Sequence, residues 1–287
     1  MKSGLIAEVT EALKLEHTIF ALPFAYVGVW AAASPAAPSW RAVVWVTLAM
    51  VTARTAGMAL NRLIDLPIDR LNPRTKNWPV PAGRVKPSLL AALTLVSAVI
   101  FFFSASRLNP LCLKLSPIAF GLMALYPRLK RFTWACHFGL GLVLACAPVG
   151  GWLGVTGRWE EPLLPLFLGV LFWVAGFDIL YALLDLDFDQ RHGVYSIPQR
   201  FGLRKALWIS RLCHTLSIIG FAAFGFILHL GAWYWAGGLV MAGLLLYEHK
   251  LVTPERLDRI NKAFFTVNGW ISVSFFIFTW LDLKFRG

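Results

Sequence analysis

The sequence predicts an all-α, polytopic membrane protein. Of its 287 residues, 58% are hydrophobic and only 15% are charged. The mean hydropathy is +0.65, which is far too apolar for a soluble domain of this length. Apolar stretches long enough to cross the ~30 Å hydrocarbon core of a bilayer as helices recur from one end of the chain to the other. We therefore expect a single transmembrane domain over residues 1–287 in contact with the lipid bilayer.

About nine apolar windows are candidates for membrane-spanning helices. They are residues 17–34, 42–60, 88–106, 111–127, 133–153, 163–184, 206–229, 231–248 and 263–282. Small residues make the first window resemble a signal peptide, but Glu8, Glu11 and Glu16 make the region before it acidic, so we expect a retained span. Leu5 and Val9 lie one helical turn apart among charged residues, which is typical of an interfacial amphipathic helix. A solvated leader remains the alternative.

Basic residues are concentrated on one side of the predicted bundle. The net charge is +12, and 19 of the 27 Lys and Arg residues fall in the N-terminal segment and the four even-numbered loops. The loops on the other side carry six. The positive-inside rule places the basic side in the cytoplasm, as expected for a protein of the cell (inner) membrane. This distribution accounts for the charge without a nucleic-acid partner.

Polar residues become dense where the second window ends. Asn61, Asp65 and Asp69 recur every fourth residue, and we call them the first aspartate motif. On a helix this spacing stacks three oxygen-bearing side chains along one face, each about 6 Å beyond the last. Such a column suits a hard divalent cation. Because Pro67 removes a backbone donor, we expect the helix to kink or restart between Asp65 and Asp69.

The sixth window ends in a similar pattern. Asp185 and Asp189, the second aspartate motif, are again four residues apart. Asp178 stands seven residues before Asp185, as Arg54 stands seven before Asn61. We interpret the match as a weak internal duplication. The four aspartates of the two motifs would repel strongly if they converged without cations, and divalent metal would resolve that conflict.

Two ionisable residues lie deeper in the predicted helices. Arg54 stands about 10.5 Å further into the membrane than Asn61, and a buried Arg costs at least about 2.5–3.5 kcal/mol, so it should meet an anion, a carbonyl or a ligand. A structural pair with Asp178 is the alternative. Tyr181 places a hydroxyl group on the same face of the predicted helix as Asp178. His17 lies where the first window leaves the interface, and it is either an interfacial group or a site residue.

Two stretches resemble the motifs of a known family. NRLIDLPIDRLNPRT, from residue 61, and YALLDLDFDQRHGVYSIPQRFG, from residue 181, are similar to the two aspartate-rich motifs of the UbiA superfamily of intramembrane aromatic prenyltransferases. The closer resemblance is to its 4-hydroxybenzoate polyprenyltransferase-like branch. It covers nearly the whole chain, including the EHTIFALPF opening and the LKRFT loop. The resemblance implies a helical bundle around a central cavity that opens to the bilayer and is capped on the cytoplasmic side.

The resemblance also implies a reaction and roles for individual residues. The reaction would be Mg²⁺-dependent transfer of a polyprenyl chain from its diphosphate to a hydroxyaryl acid such as 4-hydroxybenzoate, in quinone biosynthesis. By matching position, the metal ligands would be Asn61, Asp65, Asp69, Asp185 and Asp189, and the four aspartates would be the catalytic residues. By matching position, Arg74, Asn77, Lys130 and Arg131 would bind diphosphate, and we add Arg84 as a cation of the same basic loop as Arg74. Arg54 and Asp178 would lie near the acceptor by matching position, and we add Tyr181 and His17 from their own positions in the sequence.

Alternatives and one departure qualify this interpretation. A hydroxynaphthoate-type acceptor of menaquinone synthesis would satisfy the same argument, and a membrane transporter is a more remote alternative, because intramembrane charges also mark transport pathways. A transporter would not need two metal-binding motifs at one membrane face. Similar proteins commonly have Arg after the position of Asn77, where this chain has Trp78. One phosphate contact is therefore expected to be absent, with Arg74 or Arg84 compensating or the donor bound less tightly.

Overall fold

The protein is a bundle of helices, described here from a computed structural model that covers residues 4–14, 18–254 and 256–285. Within these residues the structure contains helices and turns but no strands, as the sequence predicted. The helices are α1 (Leu5–Leu13), α2 (Thr18–Ala33), α3 (Trp40–Asp69), α4 (Pro87–Leu108), α5 (Pro110–Leu129), α6 (Cys136–Thr156), α7 (Leu163–Ala182), α8 (Leu186–His192), α9 (Ile197–Ile227), α10 (Ala232–Leu251), α11 (Ile260–Lys262) and α12 (Asn268–Phe285).

In the described part of the chain, seven helical segments are long and apolar enough to cross a membrane. They are α3, α4, α5, α6, the run Leu163–His192 that contains α7 and α8, α9, and the run Leu257–Phe285 that ends with α12. The described part of α2 is apolar and has 16 residues, about 24 Å at 1.5 Å each, and it is not among the seven. Helix α10 is not among the seven. Each predicted window overlaps a helix, but the number nine is not confirmed.

Helix α7 lies at the centre of the main hydrophobic core. Trp173, Val174 and Phe177 are buried there among side chains of α2, α6, α9, α10 and α12. Helices α7 and α9 approach so closely that a Cβ atom on Gly220 would lie 2.7 Å from the Gly169 nitrogen. Small residues permit this kind of close contact between membrane helices. The rigid core fixes the position of the second aspartate motif, which follows α7.

A smaller core fixes the first motif and the N-terminal helix. Ala12 and Leu13 of α1 are buried against Met58 of α3 and Leu90 of α4. Helix α1 is therefore packed beside the end of α3. Its Leu5 and Ile6 are exposed, which agrees with the predicted interfacial amphipathic helix.

The two aspartate motifs end their helices in different ways. Helix α3 continues through Pro67 to Asp69, so the predicted restart between Asp65 and Asp69 is wrong. Pro67 stands two residues from the helix end, and helical hydrogen bonding resumes when the Arg70 N–H donates to the Leu66 carbonyl at 3.2 Å. After α7, by contrast, the chain tightens into a 3₁₀ turn over Leu183–Asp185 before α8 begins.

Candidate active site

The helix ends that carry the two aspartate motifs line one polar cavity of about 270 Å³. All five residues predicted as metal ligands contribute to its lining: Asn61, Asp65, Asp69, Asp185 and Asp189. Residues more than a hundred positions apart in the sequence therefore meet at one end of the bundle. This convergence is the arrangement that the matched spacing predicted.

Asp65 is the most enclosed of the first motif's aspartates. Its Oδ2 accepts hydrogen bonds from Asn61 Nδ2 at 3.1 Å and from Lys130 Nζ at 2.7 Å. Its Oδ1 is buried and has no hydrogen-bond partner among the described residues. Lys130 lies just beyond α5, so the loop predicted to bind phosphate reaches the first aspartate motif.

Asp69 pairs with an arginine that the sequence analysis did not select. Its Oδ2 lies 3.7 Å from a terminal guanidinium nitrogen of Arg62. Arg62 is buried and donates from Nε to the Ala12 carbonyl at 3.1 Å. It therefore ties helix α1 to the aspartate motif. The Thr75 hydroxyl donates to the Asp69 carbonyl at 2.9 Å and holds the following loop beside the helix end.

Asp185 is bound from two sides by the loop that follows α3. Arg74 donates from Nε to Oδ1 at 2.8 Å, and a terminal nitrogen of the same guanidinium donates to Oδ2. This two-pronged geometry is the strong form of an arginine–carboxylate pair. Asn72 Nδ2 also donates to Oδ1 at 2.7 Å, and Arg74 reaches the Tyr181 hydroxyl at 3.0 Å. Burial opposes the charged form of Arg74, but its hydrogen bond to Asp185 and that residue's charge outweigh burial and raise the arginine's pKa above its ordinary value.

Asp189 and Asp178 are each oriented by a buried side chain. The Ser196 hydroxyl donates to Asp189 Oδ2 at 3.0 Å. His137 Nδ1 lies 2.7 Å from Asp178 Oδ2, and the backbone N–H of Ile197 donates to His137 Nε2 at 3.2 Å. Because Nε2 accepts, the proton of a neutral imidazole lies on Nδ1, and His137 donates to Asp178. Asp178 is thus a hydrogen-bonded carboxylate on the wall of the polar cavity.

A second, apolar cavity of about 460 Å³ adjoins the polar one. Arg54, Tyr126 and Leu140 line both cavities, so they mark where the two meet. The exposed side chains of Ile118 and Leu164 also line the apolar cavity, which therefore opens at the apolar surface of the bundle. Of the residues predicted to bind an acceptor, Arg54, Asp178 and Tyr181 line the polar cavity, whereas His17 lies outside the described residues.

Three residues predicted to bind diphosphate are not among the described residues that line the polar cavity: Asn77, Arg84 and Arg131. Arg131 instead donates to the Ile64 carbonyl at 2.6 Å. Arg84 pairs with Glu8 of α1 at 2.8 Å. Each of these two arginines therefore holds neighbouring segments together at the rim. Arg74 and Lys130, by contrast, line the cavity as expected.

Trp78 gathers three cations at the polar cavity. The guanidinium carbon of Arg62 lies 4.2 Å from the centre of the indole, that of Arg74 lies at 5.3 Å, and Lys14 Nζ lies at 5.8 Å. These are cation–π distances. All three cations and Trp78 line the cavity. Trp78, which stands where Arg was expected, carries no charge itself but contacts three cations that line the cavity.

Sequence reasoning overlooked several residues of this site. Arg62 had a signal, because it stands seven residues before Asp69 and so lies on nearly the same helix face. Asn72 precedes Pro73, a pair that is typical of turns, but its amide also reaches Asp185. Lys14 and His137 had no local signal, since their contacts are set by packing between distant segments.

The oxygen-rich cavity fits a hard divalent cation, but not because the aspartates lack other partners. Throughout the described ranges, no group of three or more His, Cys, Asp or Glu side chains is arranged to hold a metal ion. Each aspartate of the two motifs instead meets a cation or hydroxyl of the protein, so metal is not required to relieve their repulsion. Two buried carboxylate oxygens, Asp65 Oδ1 and Asp69 Oδ2, have no hydrogen-bond partner in the described structure. With the neighbouring carboxylates and amide, they form the oxygen donor set that Mg²⁺ prefers.

These features define a class of protein: a helical membrane enzyme that holds a polar site of aspartates and cations beside an apolar cavity. Residues 21–277 match the UbiA prenyltransferase family. The chain belongs to this family, and the prediction of an aromatic prenyltransferase is confirmed.

Relatives along nearly the full length agree with this assignment. The chain is 30% identical to the 4-hydroxybenzoate octaprenyltransferase of Vibrio campbellii over 90% of its own length and 91% of the relative. The enzyme of the same name from Marinobacter nauticus is 30% identical, over 98% and 96% of the two chains. Among solved structures, a UbiA homologue from Aeropyrum pernix K1 superposes with a TM-score of 0.85 at 33% identity, covering 93% of this chain and 98% of that one. A UbiA homologue from Archaeoglobus fulgidus bound to GPP and Mg²⁺ gives 0.77 at 20% identity over 96% and 99%, which shows the fold alone.

Proposed function

We propose that this protein transfers a polyprenyl chain from its diphosphate to the ring of 4-hydroxybenzoate, with Mg²⁺ as cofactor, in quinone biosynthesis. The observation that carries the proposal is the junction of two cavities of opposite character. The polar cavity holds both aspartate motifs, and the apolar cavity begins at Arg54 and Tyr126. A polyprenyl diphosphate has the same two parts in the same order. The names of the relatives support 4-hydroxybenzoate as acceptor, and the homologue bound to GPP and Mg²⁺ supports the donor and the metal.

The donor's diphosphate would lie in the polar cavity. Asn61, Asp65, Asp69, Asp185 and Asp189 would hold Mg²⁺, which when bound supplies charge stabilisation for the leaving diphosphate. Lys130 and Arg74 stand within hydrogen-bond distance of the same carboxylates. Their positive charges therefore lie beside the proposed metal site, where they can stabilise the negative charge of a bound diphosphate. Arg62 and Lys14, gathered on Trp78, add charge at the same wall.

The reaction forms a carbon–carbon bond, and it breaks a carbon–oxygen bond of the donor and a carbon–hydrogen bond of the acceptor ring. The bond between C1 of the prenyl chain and the diphosphate oxygen breaks, and its electron pair leaves with the diphosphate, whose charge Lys130 and Arg74 meet. The ring carbon ortho to the hydroxyl of the acceptor attacks the allylic cation and then loses its proton, which passes to the released diphosphate. Tyr126, which lines both cavities, presents an aromatic ring at the junction, and such a ring stabilises a cation without capturing it.

The acceptor would bind deeper, where the two cavities meet. Arg54 lines both of them, and its planar guanidinium suits the carboxylate of a hydroxyaryl acid. Asp178, oriented by His137, lines the polar cavity and suits the acceptor's hydroxyl. A hydroxynaphthoate-type acid offers the same two groups and remains the alternative acceptor. The positive-inside distribution supports an inner-membrane enzyme whose active site faces the cytoplasm.

The test is a reaction with defined donor and acceptors. Purified protein in detergent is incubated with octaprenyl diphosphate and either 4-hydroxybenzoate or a hydroxynaphthoate. Each reaction is run with Mg²⁺ and with EDTA, and the products are identified by mass spectrometry. We expect prenylated 4-hydroxybenzoate with Mg²⁺ and none with EDTA. If the hydroxynaphthoate is prenylated and 4-hydroxybenzoate is not, the alternative acceptor is the correct one. Product formed equally well in EDTA would contradict the role of the metal.

A further inference from the structure

Helix α6 carries five glycines, and close packing explains four of them. The five are Gly139, Gly141, Gly150, Gly151 and Gly154. A Cβ atom on any of the other four would press against a neighbouring helix or side chain; on Gly151, for example, it would strike the carbonyl of Ala25. A Cβ atom on Gly150 would meet nothing within 4 Å. Helix packing therefore gives no reason for a glycine at position 150.

The open space beside Gly150 belongs to the apolar cavity, because Gly150 is one of the residues that line it. Leu140 and Leu144 lie ten and six residues earlier on α6, and each of them lines both cavities. At 1.5 Å per residue, Gly150 therefore lies about 9 Å along the helix beyond the nearer of the two. Cys146 and Ala147, one turn before Gly150, are also small and also line the cavity. Gly150 adds no side chain to this wall, although Val149 and Leu153 of the same helix also line it.

On the basis of the proposed function, we infer that Gly150 determines the length of prenyl chain that the enzyme accepts. An octaprenyl chain is several times longer than a geranyl chain, so with the diphosphate in the polar cavity it fills much more of the apolar cavity that Gly150 lines. A side chain at position 150 would therefore occupy volume that the longer chain needs more than the shorter one does. The residue therefore acts on the relative use of donors, which sets it apart from residues that bind diphosphate or acceptor.

The test compares two donors in a graded series of variants. Wild type, Gly150→Ala, Gly150→Leu and Gly150→Phe are assayed with geranyl and octaprenyl diphosphate under the same acceptor and Mg²⁺. We expect the ratio of kcat/KM for octaprenyl over geranyl diphosphate to fall with side-chain size, by at least about 10-fold for Gly150→Leu. Gly243→Leu is the matched control, because Gly243 is an exposed glycine of α10 with nothing within 4 Å of a Cβ, and it does not line the apolar cavity. Its ratio should equal that of wild type.

The possible outcomes separate this inference from the proposed function. A wild-type protein that is inactive with both donors would overturn the proposed function and the inference with it. Wild-type activity combined with an unchanged donor ratio in Gly150→Leu, or with an equal loss for both donors, would overturn the inference alone. If the larger variants do not fold, Gly150→Ala carries the comparison, and an unchanged ratio in a folded Gly150→Ala protein then counts against the inference.

Discussion

The Nζ atom of Lys130 lies 2.7 Å from Oδ2 of Asp65, although the two residues are 65 positions apart. This contact joins the loop after α5 to the first aspartate motif. The carboxylate of Asp65 is also a proposed metal ligand. A diphosphate bound to that metal would therefore lie close to Lys130. Lys130 is therefore placed to bind the donor, whereas its neighbour Arg131 binds the carbonyl of Ile64.

Removing the charge of Lys130 should weaken use of the donor. We expect Lys130→Gln to lower kcat/KM for the prenyl diphosphate by at least about 10-fold, because one cation at the diphosphate is lost. Steady-state kinetics with varied donor measure this change. Lys250→Gln is the control, since Lys250 is an exposed lysine on α10. Equal losses in the two variants would show that general positive charge at this membrane face, rather than a donor site, explains Lys130.

Arg54 should affect the acceptor more than the donor. Because it lines both cavities deeper than the first aspartate motif, we expect Arg54→Lys to raise the KM for the aromatic acid about 10-fold while the KM for the donor changes little. Arg211→Lys is the control, because Arg211 is a helix arginine whose guanidinium lies 4.9 Å from the Trp208 ring, outside both cavities. Lost thermal stability with an unchanged acceptor KM would assign Arg54 a structural role instead.

Trp78 should influence donor binding through the cations on its ring. We expect Trp78→Leu to raise the KM for the prenyl diphosphate about 3- to 10-fold, since Arg62, Arg74 and Lys14 lose a shared aromatic contact. Trp208→Leu removes a comparable cation–π contact away from the polar cavity and should leave the donor KM unchanged. A donor KM that does not change in a folded Trp78→Leu protein would argue against this role.

Helical periodicity predicted which aspartates share a helix face because this pattern is local. The four-residue spacing of each aspartate motif determines which side chains share a helix face, and both motifs indeed line the polar cavity. Of the kink or restart predicted at Pro67, the restart is wrong, because a proline in the last turn removes one hydrogen bond without ending the helix. The number of spans stays a prediction, since hydrophobic windows do not show where each helix begins and ends.

Contacts between distant segments were not predictable from local pattern. His137 and Asp178 are 41 residues apart and meet only because α6 packs against α7. Arg84 and Arg131 lie in basic loops next to the site, yet Glu8 and the Ile64 carbonyl hold them at its rim. Positive charge near a site is visible in a sequence. Which cation enters the cavity depends on the partner that each one finds.

The most direct test of the account is whether both aspartate motifs are needed for one reaction. Asp65→Ala and Asp189→Ala each remove a carboxylate from a different half of the chain, and both residues line the polar cavity. Turnover is measured at saturating donor, acceptor and Mg²⁺ in protein that keeps its helical circular dichroism. We predict that each variant loses at least about 100-fold in turnover. Near wild-type turnover in either variant would contradict the two-motif site.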